Sequence, residues 1–291
     1  MIPVLEVGGT HVSAALVDPS TWSVHGATRL PVDSDAPAAD LLDRFAAAAS
    51  ALGPQPGSTW GVAMPDPFDY EHGIGNFAGV AKFASLDGVD VGAGLRTRIG
   101  GAVVFLNDAD AFVLGEWTDG AVRGVARCAG ITLGTGVGSG WLVDGVPTDP
   151  GVPAGGRIHT LTVDGRPLED VVSRRAVRRA YAAAGGDPAL DVREIAAAAR
   201  AGETRAHGVL AAAFTALGRA AAPALAGFGA DGVVVGGSMT GSWDLLGPLF
   251  EAGLRAGAGV LRRGSLPPVA VSADSDRAPL IGAAVQALRA A

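Results

Sequence analysis

The chain is poor in lysine, cysteine and aromatic residues. Its 291 residues include one lysine, Lys82, one cysteine, Cys128, and only 5% aromatic side chains. A single cysteine excludes an intrachain disulfide and a zinc site with three thiolates. The missing lysines also exclude a phosphate loop of the GxxxxGK[ST] type. Any bound phosphate must therefore be held mainly by backbone N–H groups, helix N-termini, arginines or a metal ion.

Long apolar runs and an excess of positive charge are also missing. Gly, Asp or Arg interrupts every apolar stretch before it reaches the length of a membrane span. The formal net charge of −7 argues against a broad surface for nucleic acid or anionic lipid. The N-terminus enters a strand-like segment without a basic leader, so we expect a cytoplasmic protein. An apolar content of 48% predicts a globular chain with a large core.

Two segments of the chain share one plan of apolar strands joined by glycine turns and followed by helices. Helical spacing is predicted at 38–53, 169–184, 191–201, 204–228 and 278–290, and buried strands at 59–65, 102–108, 126–136, 231–239 and 267–273. This alternation predicts an α/β protein with two similar domains facing a cleft. We expect a smaller domain at 1–110, joined by the C-terminal helix 278–291, and a larger one at 111–277.

The glycine turns are the clearest candidates for phosphate binding. The segments EVGGTHV (6–12) and LGTGVGSG (133–140) each place a tight turn with a threonine between two apolar strands. Glycine lets the backbone approach a ligand closely, so that neighbouring N–H groups converge on phosphate oxygens. Either turn alone is also typical of an ordinary hairpin. Two such turns in similar segments, with a third glycine break at 236–237, favour a nucleotide site.

In this order and spacing, VGGT (7–10), NDADAFVLGE (107–116), ITLGTGVGSG (131–140) and VVVGGSM (233–239) resemble the ROK family of bacterial sugar kinases. The resemblance covers nearly the whole chain and implies the actin-like, hexokinase-type ATPase fold. It also implies Mg-ATP as cofactor, a small-molecule sugar as partner, and a homodimer. The ROK repressors carry a DNA-binding motif before the first glycine turn, and only about five residues precede that turn here, so we expect no nucleic-acid partner.

The resemblance assigns the two glycine turns to the phosphates of ATP and the third glycine break to the adenosine. The residues concerned are Gly8, Gly9, Thr10, Gly134, Thr135, Gly136, Gly236 and Gly237. Most family members have Asp near the Mg–phosphate group where this chain has Glu6. Because glutamate keeps the charge but is one methylene longer, we expect Glu6 to act on the metal indirectly, through water.

Asp108 is the expected catalytic base, and Asn107 the expected contact to the sugar. Phosphoryl transfer requires a group that orients the attacking hydroxyl and accepts its proton, and a single carboxylate suits that task. The family resemblance places this base at Asp108. The alternative is that both residues only cap the next helix, since Asn and Asp are good N-caps.

The expected sugar loop, AGGRIHT (154–160), lacks a residue that the family usually has. Aligning the family's histidine on His159 puts Gly156 where a sugar-binding glutamate is usual, and no cysteine-rich zinc loop follows. Glu169 resembles a second sugar-binding glutamate, although it could merely complement a helix dipole. His159 could equally be structural. In the loop 64–77, Asn76 is a further candidate for sugar binding, as is Lys82 just beyond it.

These residues predict an ATP-dependent kinase that phosphorylates a primary hydroxyl, O6 or its equivalent, of a hexose-like sugar. The loss of the glutamate at Gly156 suggests a substrate that differs from glucose near its anomeric end, such as a cyclitol, carba-sugar or amino sugar. One alternative is a sensing protein with weak catalysis. Another is polyphosphate as donor, against which the scarcity of lysine argues.

Overall fold

The computed structural model describes residues 1–53, 55–257 and 266–291. The chain divides into two compact units. The first comprises Met1–Gly120 together with Asp276–Ala291, and the second comprises Ala121–Ser275. The C-terminal residues therefore belong to the same unit as the N-terminus.

A mixed sheet forms the centre of the first unit. The strands are β1 (Ile2–Val7), β2 (His11–Val17), β3 (Val24–Pro31), β4 (Thr59–Met64), β5 (Phe68–Asp69), β6 (Ile74–Gly75) and β7 (Ala102–Asn107). The main sheet has the order β3-β2-β1-β4-β7, in which β1, β2 and β3 are antiparallel and β4 and β7 run parallel to β1. The helices of this unit are α1 (Ala38–Ser50), α2 (Val91–Ile99), α3 (Asp108–Asp119) and the C-terminal α9 (Ala278–Ala290).

Glycines explain why α9 belongs to the first unit. A Cβ added at Gly115 of α3 would come closer than 3.0 Å to the backbone of Ala278, and one added at Gly282 of α9 would do the same at Ala111. The two helices therefore pack backbone against backbone, and the apolar face of α9 is buried. The expected boundary after residue 110 would cut α3 near its start, whereas the structure keeps this helix whole because α9 packs along it.

The second unit repeats the strand order of the first. Its strands are β8 (Arg127–Leu133), β9 (Val137–Val143), β10 (Val146–Pro147), β11 (Thr162–Val163), β12 (Arg166–Pro167), β13 (Gly232–Gly236) and β14 (Val269–Val271). The sheet order β10-β9-β8-β13-β14 again joins an antiparallel meander to two parallel strands. The helices are α4 (Glu169–Val172), α5 (Arg174–Ala183), α6 (Val192–Arg200), α7 (Thr204–Phe228) and α8 (Trp243–Gly257).

Helix α7 is the longest element of the second unit. By length and composition alone it could cross a membrane, yet more than half of its most apolar window is buried inside the protein. Its apolar side chains, among them Leu210, Phe214 and Leu217, lie in the core of the unit with β8 and β13. The apolar character of α7 is thus explained by packing.

Two helices, α3 and α5, begin at residues other than those expected from the sequence. Strand β7 ends at Asn107, not at Asp108, because the Asn107 side chain caps α3 and Asp108 is the first residue of that helix. The helix expected at 169–184 is two helices, since Ser173 has an extended backbone and its side chain accepts a hydrogen bond from Ala176 N–H. Helices α2 and α8 are additional to the expected elements.

Candidate functional site

The first glycine turn, residues 8–10, joins β1 to β2 in the first unit. Gly8 N–H donates to His11 O at 2.8 Å and so closes the turn. Within the described part of the chain, the N–H groups of Gly9 and Thr10 have no hydrogen-bond acceptor. A Cβ at Gly9 would meet only Lys82 Cδ, at 3.8 Å. The turn therefore presents unpaired donors and open space, as a phosphate cradle requires.

Two carboxyl groups, Glu6 and Asp108, have raised pKa values on this side of the first unit. Burial, followed by the negative charge of Asp108, raises the pKa of Glu6 to about 7. Burial also raises the pKa of Asp108, and the cation of Lys82 acts in the opposite direction. A carboxylate whose pKa lies above its usual range is a better proton acceptor, so Asp108 suits the work of a general base.

Asn107 is held by hydrogen bonds on both sides of its amide. Its Oδ1 accepts from Ala109 N–H at 2.9 Å and from Asp110 N–H at 3.2 Å, which caps α3. Its Nδ2 donates at 3.0 Å to the hydroxyl of Tyr70, which donates in turn to Met64 O at 3.1 Å. One N–H of the amide remains available to a ligand. The capping alternative is therefore present, and it leaves room for a sugar contact.

Lys82 lies on the phosphate side of the first unit. Its stem approaches Gly9, and its charge acts on Asp108. The next residue, Phe83, has a left-handed backbone with a φ of 60°, an uncommon state for a bulky side chain. The Phe83 ring is buried against Phe45 and Phe77, which fixes the chain after Lys82. From the sequence, Lys82 is expected to contact the sugar. Its position beside Gly9 and its effect on Asp108 suit an interaction with a phosphoryl group better. Asn76 is exposed on the same loop.

The second glycine turn, residues 134–136, joins β8 to β9 in the second unit. Among the residues described, the N–H groups of Thr135 and Gly136 have no acceptor, and Gly134 O accepts from Arg174 N–H at 2.9 Å. Glu169 lies against this turn, where its Oε2 is 3.5 Å from Val137 N. The structure therefore brings Glu169 to the second glycine turn.

The third glycine break packs against the same strand. Gly237 has a φ of +94°, and a Cβ there would come closer than 3.0 Å to Leu133 O. Its N–H donates to Ser275 Oγ at 2.9 Å. Ser238 Oγ is 3.7 Å from the point that a Cβ of Gly134 would occupy. Within the second unit, the residues assigned to phosphate and to adenosine are thus neighbours.

Gly156, in the sugar loop, is enclosed by an aromatic ring. It has a φ of +77°, and a Cβ would come closer than 3.0 Å to Trp141 Nε1 and to Pro150 Cγ. Its carbonyl accepts hydrogen bonds from Trp141 Nε1 at 2.9 Å and from Ser139 Oγ at 2.6 Å. No side chain fits here without rearrangement. His159 is half-buried in the short 3₁₀ turn that follows.

Metal ligands are sparse. The described ranges contain no group of three or more His, Cys, Asp or Glu side chains able to hold an ion. Mg²⁺ commonly keeps several waters and binds through one or two carboxylates together with substrate phosphates. Glu6, beside an open glycine turn, fits that mode of binding, because a carboxyl group whose pKa has been raised by burial is more easily ionised next to a cation.

Comparison with known proteins identifies the family and the fold. The ROK family model matches residues 3–290. A glucokinase of Thermotoga maritima is 32% identical over 216 residues, which are 66% of this chain and 67% of that protein. The crystal structure of a ROK family glucokinase from Streptomyces griseus, in complex with glucose and AMPPNP, has a TM-score of 0.83 at 20% identity and covers 99% of both chains.

An enzyme named for two phosphoryl donors is also similar in structure. The inorganic polyphosphate/ATP-glucomannokinase from Arthrobacter sp. strain KM has a TM-score of 0.72 at 24% identity, with 100% of both chains covered. These similarities confirm the expected α/β class and the actin-like, hexokinase-type ATPase fold. Because the family model spans nearly the whole chain, this chain belongs to the ROK family of sugar kinases.

Proposed function

We propose that this chain is a cytoplasmic kinase that transfers the terminal phosphate of Mg-ATP to a primary hydroxyl of a hexose-like sugar. The observation that carries the proposal is Asp108, a carboxyl group at the start of α3 whose pKa is raised by burial, while the cation of Lys82 acts in the opposite direction. Asp108 accepts the proton of the attacking hydroxyl, and Asn107 orients the sugar through its remaining N–H.

Each glycine turn, taken within its own unit, offers contacts for the phosphoryl donor. The unpaired N–H groups of residues 9–10 and 135–136 bind phosphate oxygens, and Gly236 and Gly237 lie beside the adenosine. Bound Mg²⁺ would offset the charge of the phosphates, with Glu6 acting on it through water. Lys82 stabilises the charge of the transferred group from the first unit. No zinc is required, and we expect a homodimer.

The substrate differs from glucose near the anomeric end. Gly156 stands where a sugar-binding glutamate is usual, and it has no side chain to offer a sugar hydroxyl, while Trp141 lies against it. His159, Glu169 and Asn76 remain as sugar contacts. A site that hydrogen-bonds a hydroxyl group rejects ligands that lack this hydroxyl. Without the glutamate, the site no longer selects for that hydroxyl group of the sugar. A cyclitol, carba-sugar or amino sugar is the expected class.

A coupled assay with glucose, mannose, N-acetylated amino sugars and cyclitols tests this function. We expect kcat/KM to be higher for a sugar altered at the anomeric end than for glucose. Asp108→Asn should lower kcat by about 10²-fold or more, because no other group takes the proton. A preference for glucose contradicts the substrate class. Absence of turnover with every sugar, together with retained nucleotide binding, favours the sensing alternative.

A further inference from the structure

A cavity of about 420 Å³ opens beside the second glycine turn. It is lined by Thr135, Arg174, Arg175, Arg178 and Arg179, with an alanine and a proline. We propose that this arginine cavity binds a linear chain of phosphates, namely the part of the phosphoryl donor that is not transferred. The proposal rests on the proposed kinase function and names the chemistry of its donor site.

Two of the four arginines have carboxylate partners. Arg174 forms a two-pronged ion pair with Asp191, and this pairing lowers the pKa of the Asp191 carboxyl. Arg175 is 3.8 Å from Glu169 Oε1, and its side chain is 67% exposed, so the pair is loose. These carboxylates leave part of the positive charge of the helix uncompensated.

The other two arginines are oriented by backbone carbonyl groups, although the charge of Arg178 also acts on the Asp191 carboxyl. Arg178 donates to Leu190 O at 3.2 Å and to Pro188 O at 3.3 Å, while Arg179 donates to Asp170 O at 3.0 Å. Within the described ranges neither guanidinium forms an ion pair with a carboxylate. Carbonyl oxygens fix the position of a guanidinium and leave its charge in place, so further N–H donors remain for an anion.

The position of these charges is unfavourable for the helix itself. Arg174 and Arg178, like Arg175 and Arg179, are four residues apart and repel each other along one face of α5. The first turn of α5 has no acidic residue, so its arginines oppose the helix dipole. Because local stability does not explain this arrangement, binding of a polyanion is the better explanation.

The cavity is continuous with the expected phosphate site. Thr135 belongs to the second glycine turn, and Arg174 N–H donates to Gly134 O at 2.9 Å, which ties the start of α5 to that turn. A volume of about 420 Å³ is within the range of small-molecule sites. Its lining has no aromatic side chain on which a base could stack, so successive phosphates suit it better than a nucleoside.

Binding of inorganic tripolyphosphate, measured by calorimetry without sugar, tests the cavity directly. The double variant Arg178→Gln/Arg179→Gln should bind it at least about tenfold more weakly than the wild type. The control Arg44→Gln/Arg193→Gln removes the same charge from exposed positions outside the lining and should bind as the wild type does. Equal thermal unfolding midpoints exclude misfolding. Equal affinity in all three proteins, an equal loss in both variants, or no binding by the wild type overturns the proposal.

Sugar kinase assays with each donor then identify the source of the phosphate chain. A higher KM for ATP in the double variant places the nucleotide's own phosphates in the cavity. A higher KM for inorganic polyphosphate alone identifies that polymer as the occupant. If kinase activity with ATP is normal and neither KM changes, the cavity proposal fails and the proposed function stands. If no sugar is phosphorylated but tripolyphosphate binding depends on the arginines, the proposed function fails and the cavity proposal stands.

Discussion

At the scale of single residues, Glu6 is a carboxyl group that folding makes harder to ionise. Its pKa rises from 4.5 to about 7 because of burial and then of the charge of Asp108. The folded state therefore favours the protonated form. Its contribution to stability is complete below pH 4.5 and is lost as the pH rises through 7.

Glu6→Gln should accordingly stabilise the protein at pH 8 and have little effect at pH 4.5. The expected gain in the free energy of unfolding at pH 8 is on the order of 2 kcal/mol, since the amide keeps the shape without the charge. Urea denaturation at both pH values, without metal or nucleotide, measures it. Glu71→Gln, at an exposed position, serves as control. A gain that is the same at both pH values would mean that ionisation of Glu6 is not its cause.

Lys82 affects both the rate and its pH dependence. Its cation opposes the burial that raises the pKa of Asp108. In Lys82→Met, the pKa of Asp108 should rise further, so that kcat/KM is lost at a higher pH as the solution is acidified. The value of kcat should also fall roughly tenfold or more, because a charge near the transferred phosphate is gone. The pH dependence of kcat and of kcat/KM measures both effects. Lys82→Arg should return the acid limb of kcat/KM to its wild-type position. If the acid limb of the kcat/KM profile did not move, Lys82 would not influence the pKa of Asp108.

Two features require a glycine at position 156, namely its positive φ and the close packing of Trp141 and Pro150 around it. Gly155 and Gly156 both have positive φ, yet a Cβ at Gly155 meets nothing within 4 Å, whereas one at Gly156 meets Trp141 and Pro150. Gly156→Ala should cost about 1–3 kcal/mol more in unfolding free energy than Gly155→Ala. Urea denaturation of the two variants gives the difference. Similar costs would show that the loop adjusts, and that a glutamate could be restored there.

At the scale of elements, glycines set how closely helices approach. Gly115→Ala in α3 should lower the free energy of unfolding by about 1–3 kcal/mol, because the methyl group collides with the backbone of Ala278 in α9. Gly208, exposed in α7 with nothing within 4 Å, is the matched control. Gly208→Ala should stabilise by roughly 0.5–1 kcal/mol through helix propensity. Chemical denaturation measures the free energy of unfolding of both variants. No loss of stability in Gly115→Ala would contradict the close packing of α3 and α9.

Elements are predictable from sequence where a local pattern decides them. The glycine hairpins at 8–10 and 134–136 were expected because turn residues separate two apolar runs. The break at Ser173 depends on one side chain bonding to Ala176 N–H, which a helical run of arginine and alanine conceals. The contact of Trp141 with Gly156 joins residues fifteen positions apart and has no periodic signal. Likewise, the scarcity of lysine hid a cationic site built from arginines on α5.

At the scale of the whole molecule, the two units have the same strand order, each with a glycine turn between its first two strands. The repetition explains why the motif order along the sequence revealed the fold. The first unit depends on a distant part of the chain, namely the C-terminal helix. Its sheet and α3 are covered by α9, whose side chains Leu280, Ile281 and Val285 are buried.

A chain ending at Ser275 should therefore lose the folded first unit. Removal of α9 exposes the apolar surface of β1, β4 and α3, and a loss of this size exceeds the margin by which a domain is stable. Hydrogen exchange followed by peptide mass spectrometry should show unprotected amides in β1 and β4 and retained protection in β8 and β13. A chain that lacks only Ala290 and Ala291 is the control and should keep both. Protection of β1 and β4 in the truncated chain would mean that the first unit holds its sheet without the C-terminal helix.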